Sequence, residues 1–125
     1  MYEAFLVREI TVEAAGESQA IPVGEGAGKT LLLTLAITEI VEQESLDVSV
    51  WGSPDGAEWG AKPLTAFPQK FYEGVYQVLL DLSQHPEVRF LKAKWVVNRW
   101  GVGHTTPRFR FLVKIQEHSA AAVTV

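Results

Sequence analysis

The sequence contains no cysteine in its 125 residues. That excludes disulfide staples, zinc–thiolate sites and thiol nucleophiles. Basic residues are in deficit: 11 Lys and Arg against 15 Asp and Glu leave a formal net charge of −4. Nucleic-acid binders draw most of their affinity from surplus basic charge, so no nucleic-acid partner is expected. No apolar run reaches the roughly 18 residues that a spanning helix needs, and no membrane span is expected. The N-terminal MYEAFLVREI mixes acidic with apolar residues and lacks the plan of a secretory signal. A cytoplasmic or virion-like location is the default expectation.

Apolar residues make up 47% of the chain, which suits a globular protein with a real core. Their period is two. In TLLLTLAIT, Leu31, Leu33, Leu35 and Ile37 share one face. In SLDVSVW, Leu46, Val48 and Val50 oppose Asp47, Ser49 and Trp51. In VYQVLLDLS, Tyr76, Val78, Leu80 and Leu82 alternate with Gln77, Leu79 and Asp81. In RFLKAKWVVNRW, Leu91, Ala93, Trp95 and Val97 oppose Phe90, Lys92, Lys94, Val96 and Asn98. In RFRFLVKIQ, Phe109, Phe111, Val113 and Ile115 oppose Arg108, Arg110, Leu112 and Lys114. The N-terminal AFLVREITVE reads as a weaker strand. Turn signals separate these runs: Gly16 before ESQ, then GEGAG, SPDG, the Glu-Gly pair at 73–74, QHPE and GVGHTTP. The one helical candidate, residues 30–44, is rich in Thr and β-branched residues and reads as a strand. Strands at this spacing predict an antiparallel sandwich or barrel.

The motifs that carry chemistry elsewhere have plainer explanations here. VGEGAGKTLLL suggests a phosphate-binding loop, but Val23 stands where the motif needs its first glycine, and a strand follows instead of a helix. His85, His104 and His118 lack metal-ligand spacing, so no metal is expected. Ser83, His85 and Asp81 read as a strand end and a turn, and no G-x-S-x-G elbow is present. Asp47 could be paired with Asp55 or Glu58 as glycosidase carboxylates, yet each has a structural role of its own. No catalytic residue and no cofactor are therefore assigned, and the chain is expected not to be an enzyme.

The segment SVWGSPDGAEWG is explained by backbone geometry. Pro54 fixes φ at the second turn position, and Asp55 and Gly56 suit a type I turn with a left-handed glycine after it. The Ser53 hydroxyl can cap the turn. The return strand of this hairpin is expected near Glu58–Trp59. Lys92, Lys94, Arg108 and Arg110 are expected on the outward face of two neighbouring strands, as a solvated sheet face; the alternative is a surface for an anionic polymer or an acidic protein. Trp95 falls in the core by its alternation. Trp51, Trp59 and Trp100, with Asn98 and Arg99, are the candidate platform for a sugar.

LDVSVWGSPDGAEWG resembles the S-x-D-G-x-x-W hairpin of discoidin-like, galactose-binding-like β-sandwiches, with Ser53, Asp55, Gly56 and Trp59 at the matching places. Residues 29–117 resemble a class of small phage-type structural or decoration proteins. The likeness lies in the strand, turn and hairpin of TLLLTLAITEIVEQESLDVSVWGSPDGAEWG, in Arg89-Phe90-Leu91-Lys92, and in the closing PRFRFLVKIQE. The resemblance implies a jelly-roll-like or immunoglobulin-like sandwich that builds or decorates a larger assembly. It transfers no catalytic residue. The expectation is thus an all-β antiparallel β-sandwich, jelly-roll-like, of about eight strands. Residues 1–118 form one domain and 119–125 a C-terminal tail. The function expected is a non-catalytic structural or interaction module, a homo-oligomer or the component of an assembly. The alternative is a carbohydrate-binding module.

Overall fold

The alternation of the sequence becomes two stacked antiparallel sheets in the computed structural model, which describes residues 3–40, 44–69, 73–99 and 108–118. The strands are β1 (Glu3–Val12), β2 (Gly16–Glu17), β3 (Ile21–Pro22), β4 (Thr30–Ile40) and β5 (Glu44–Ser53). They continue with β6 (Thr65–Ala66), β7 (Gly74–Asp81), β8 (Phe90–Arg99) and β9 (Phe109–Glu117). One sheet has the order β1-β9-β4-β7. The other has the order β2-β8-β5-β6, with β3 also pairing to β8.

β2 and β3 are two short stretches of one interrupted strand along β8, with Gly16 opposite Trp95 and Ile21 opposite Leu91. Counted as one, they leave eight strands wrapped from the outside in. The first pairs with the last, the second with the seventh, the third with the sixth and the fourth with the fifth. This double wrapping is a jelly roll. The expected sandwich of about eight strands is what the chain forms. No helix among the described residues is long and apolar enough to cross a membrane.

Burial follows the period of two. Leu31, Leu33, Leu35 and Ile37 of β4 pack with Phe109, Phe111, Val113 and Ile115 of β9 on the inner face of one sheet. Leu46, Val48 and Val50 of β5 and Leu91, Ala93 and Trp95 of β8 supply the other. The sheets meet where the Trp95 and Phe111 rings stand edge to face, 5.5 Å between centroids. Each fully buried Leu, Ile or Phe contributes about 1.5–3 kcal/mol of transfer free energy before chain entropy is subtracted. β1 shows why its pattern was weak. Its ladder slips twice, between Phe5 and Val7 and between Val7 and Ile10, so Leu6 and Val7 are both buried.

Two expectations about turns are corrected. Gly16, a turn signal by residue type, lies in β2. A Cβ there would sit 3.1 Å from the Trp95 indole, so glycine is what lets that ring lie across the strand. The return strand after SPDG does not start near Trp59. It is the two-residue β6, opposite Ser49 and Val50. Positive-φ Gly56 and Gly60 and the donor-less Pro63 keep the intervening chain irregular, and pairing resumes only where the Leu64 amide donates to the Val50 carbonyl.

Candidate functional site

The outer face of the β5–β8 sheet carries the polar and aromatic half of the period-two pattern. On β5 these are Asp47, Ser49 and Trp51; on β8 they are Phe90, Lys92, Lys94 and Val96. Trp51 stands opposite Lys92 and Ser49 opposite Lys94. The Lys94 ammonium lies 4.1 Å from the centroid of the Trp51 ring, and the Trp51 indole N–H donates to Ser49 Oγ at 2.9 Å. The loop after β5 brings Trp59 onto the same face, where Lys92 Nζ is 4.4 Å from its centroid. Lys92 is only 8% exposed, and it also pairs with Glu17 of β2 at 3.4 Å. Trp51 and Trp59 are both half-buried. The face is therefore a row of two indoles and two ammonium groups, in which each lysine occupies one side of one ring.

The turn that carries Trp59 is held by side chains. Ser53 is fully buried, and its hydroxyl accepts from the amides of Asp55 (3.2 Å) and Gly56 (2.8 Å). The same hydroxyl donates to Asp55 Oδ1 at 3.0 Å. Asp55 Oδ1 also accepts from the amides of Ala57 (2.8 Å) and Glu58 (2.9 Å). The Glu58 amide, then the Ala57 amide and the Ser53 hydroxyl, hold the Asp55 carboxyl below its ordinary value. Gly56 has φ +80° and lies under the Phe90 ring. Ser53, Asp55 and Gly56 thus build the turn, as their residue types implied.

The sequence candidates divide sharply. Trp51 and Trp59 are brought together on one face. Asn98 and Arg99 lie in β8 opposite Ser45 and Glu44, and the structure describes only their backbone. Trp100, His104 and the tail 119–125 lie outside the described residues. The expected joint basic surface is overturned. Lys92 and Lys94 belong to β8 in one sheet, while Arg110 belongs to β9 in the other, with Arg108 just before it. On its own face, Arg110 pairs with Glu9 at 3.4 Å and Arg108 with Glu39 at 3.9 Å. β8 and β9 are consecutive, but the chain crosses from one sheet to the other between them.

The constellations set aside in the sequence keep their structural roles. Asp81 Oδ1 accepts from the Ser83 hydroxyl (2.6 Å) and the Ser83 amide (2.9 Å), capping a three-residue 3-10 turn, Leu82–Gln84. Those bonds lower its pKa, the Ser83 hydroxyl most. His85 faces Glu87 at 4.0 Å. Asp47 accepts from Gln69 at 3.1 Å. The GEGAG segment forms a three-residue 3-10 turn, Gly24–Gly26, and runs into β4. Among the described residues no cluster of three or more His, Cys, Asp or Glu could hold a metal ion.

Sequence reasoning missed the asymmetry of the other outer face. On the β1–β9 side it is charged: Glu3 pairs with Lys114 at 3.0 Å and Glu9 with Arg110. On the β4–β7 side it is not. Val75 is 66% exposed and Leu79 54%. Their cross-strand partners on β4 are Ala36 and Leu32, and Leu112 of β9 lies beside Ala36. Reading outer faces for charge as closely as inner faces for hydrophobicity would have found it.

No family model matches the chain, and no curated protein matches it. Among solved structures, the chain is similar to the VP2 subviral particle of infectious bursal disease virus, at 10% sequence identity and a TM-score of 0.48. That alignment covers 91% of this chain and 31% of the viral chain, so the chain spans about a third of its length.

Proposed function

We propose that this chain is a non-catalytic structural module that works by self-association or as the decoration component of a larger, phage-like assembly. The uncharged outer face along β4 and β7 carries this reading. Exposed apolar side chains that cluster on one side of a sheet, rimmed by charge, mark a surface that a protein partner covers. The ionisable residues support it as well: Lys29, Lys92, Arg108, Arg110 and Lys114 each pair with a glutamate, and Asp55 and Asp81 each cap a turn. The resemblance of residues 29–117 to small phage-type structural proteins points the same way. Size-exclusion chromatography with light scattering tests it. A mass above the monomer that rises with concentration is the expected result, and a strict monomer at the highest soluble concentration refutes it.

The alternative, a carbohydrate-binding module, draws on one observation: Trp51 and Trp59 share an outer face. A lysine over one side of each ring leaves at most the other side for a sugar. A glycan array decides between the two. A hit abolished by Trp51→Ala or Trp59→Ala favours the alternative, and a blank array removes it.

A further inference from the structure

Four strands or strand pairs lie at the sheet edges: β1 and β7 in one sheet, β2 with β3, and β6, in the other. An edge strand presents backbone N–H and C=O groups that template further pairing, and proteins blunt such edges with bulges, charge, proline or shortness. Three edges show these devices. β1 has two register slips and carries Glu3, Arg8 and Glu9. β2 and β3 have two residues each, and Pro22 lies in β3. β6 has two residues between Pro63 and Pro68. β7 shows none. It is eight residues long, and from Gly74 to Leu80 it contains neither charge nor proline. Among the described residues it pairs with β4 alone.

We infer that β7 is the contact by which two copies of this chain join, edge to edge and antiparallel about a two-fold axis, making one continuous sheet. The inference rests on the self-association reading above. Its register follows from the side chains. A two-fold axis normal to the sheet keeps outer residues opposite outer residues. Centred on Gln77, it sets Val75 of each copy against Leu79 of the other and Gln77 against Gln77. On the inner side Tyr76 meets Val78, and both are half-buried at the sandwich rim. No like charges are opposed between Gly74 and Leu80. The same register sets Glu73 of each copy against Asp81 of the other, so in a chain of net charge −4 the acidic groups that approach are confined to the two ends of the contact. The uncharged strip continues inward through Leu32, Thr34 and Ala36 of β4, so joining copies extends an apolar face and leaves the charged β1–β9 side outside.

The absence of native cysteine makes the test direct, because any introduced thiol is the only one. Gln77→Cys should cross-link to itself with a short bis-maleimide. Val75→Cys and Leu79→Cys should each cross-link poorly alone, because identical residues then sit about 13 Å apart, and well when mixed. Leu79→Lys, at an exposed site, should abolish self-association in light scattering with the circular dichroism unchanged. Thr11→Lys on β1 should not. If the wild type self-associates and Leu79→Lys leaves its mass unchanged, or if no thiol pair shows this pattern, the β7 contact is wrong and the self-association reading stands. A monomeric wild type overturns both.

Discussion

Ser53→Ala should destabilise the protein by about 2 kcal/mol, out of proportion to the loss of one oxygen. Ser53 is fully buried and its hydroxyl makes three hydrogen bonds, accepting from two amides and donating to one carboxylate. A buried donor left without an acceptor costs about 1–3 kcal/mol, and a bond to a charged group is worth about 1.5–3. The whole of that is not lost. The Asp55 carboxylate is exposed and recruits water, and the exposed Asp55 amide is partly rescued in the same way. The Gly56 amide, which points at the fully buried Ser53 hydroxyl, is not so easily hydrated. One unrescued donor plus a weakened carboxylate bond leaves about 2 kcal/mol, or roughly 8 °C of Tm for a domain of this size. Urea unfolding followed by tryptophan fluorescence measures it, with the m-value expected to stay constant. Ser83→Ala is the control: its hydroxyl also donates to an aspartate, but at an exposed turn. A Ser53→Ala change within about 0.5 kcal/mol of wild type, the usual range for exposed sites, would show that the turn does not depend on this hydroxyl.

Gly52→Ala should cost about 1–3 kcal/mol by overpacking, because the new methyl would lie 2.6 Å from Leu64 Cδ1 and 3.0 Å from both Val88 methyls; a second change, Leu64→Ala, should recover part of the loss in the same urea assay. Asp55 and Asp81 both have lowered pKa values, so they bind protons more weakly folded than unfolded. Their contribution is whole above the ordinary value of 3.8 and is lost as pH falls through the lower folded values. Thermal melts between neutral pH and about pH 2 should therefore show a steeper acid loss in wild type than in the Asp55→Asn, Asp81→Asn double variant, and equal slopes would refute the assignment. Phe111→Ala, at a fully buried ring edge to face with Trp95, should cost about 3–5 kcal/mol and blue- or red-shift the Trp95 emission; an unchanged spectrum would argue against the edge-to-face contact.

Which side chains point inward was legible from the sequence because a strand has a period of two and one face must be dry. Leu31 to Ile37, Leu46 to Val50 and Phe109 to Ile115 all lie on the faces their alternation assigned. What stands beside each strand was not legible. β1 pairs with β9, and β3 with β8, across most of the chain, and nothing in the local pattern names such a partner. That is why Lys92 and Arg110, both outward, could be read as neighbours although they lie on opposite surfaces of the sandwich. Gly16 escaped for the same reason. Its role is set by Trp95, 79 positions later in the chain, whose ring needs the space a side chain would fill.

The tryptophans show the same division between face and neighbour. Alternation directs Trp51 away from Leu46, Val48 and Val50, and an outward indole reads as a platform awaiting a ligand. Its cross-strand surroundings change that reading. Because Trp51 faces Lys92 in the ladder and Lys94 is the diagonal neighbour, an ammonium lies over the ring from within the same sheet. Trp59 comes to Lys92 from an irregular loop. Each ring serves to stabilise a lysine on the outer face, and Lys92 is nearly buried there. One side of each of Trp51 and Trp59 is thus occupied by the protein itself. The surface with nothing over it among the described residues, Val75 and Leu79 on β7, reads in the sequence as one more alternating strand.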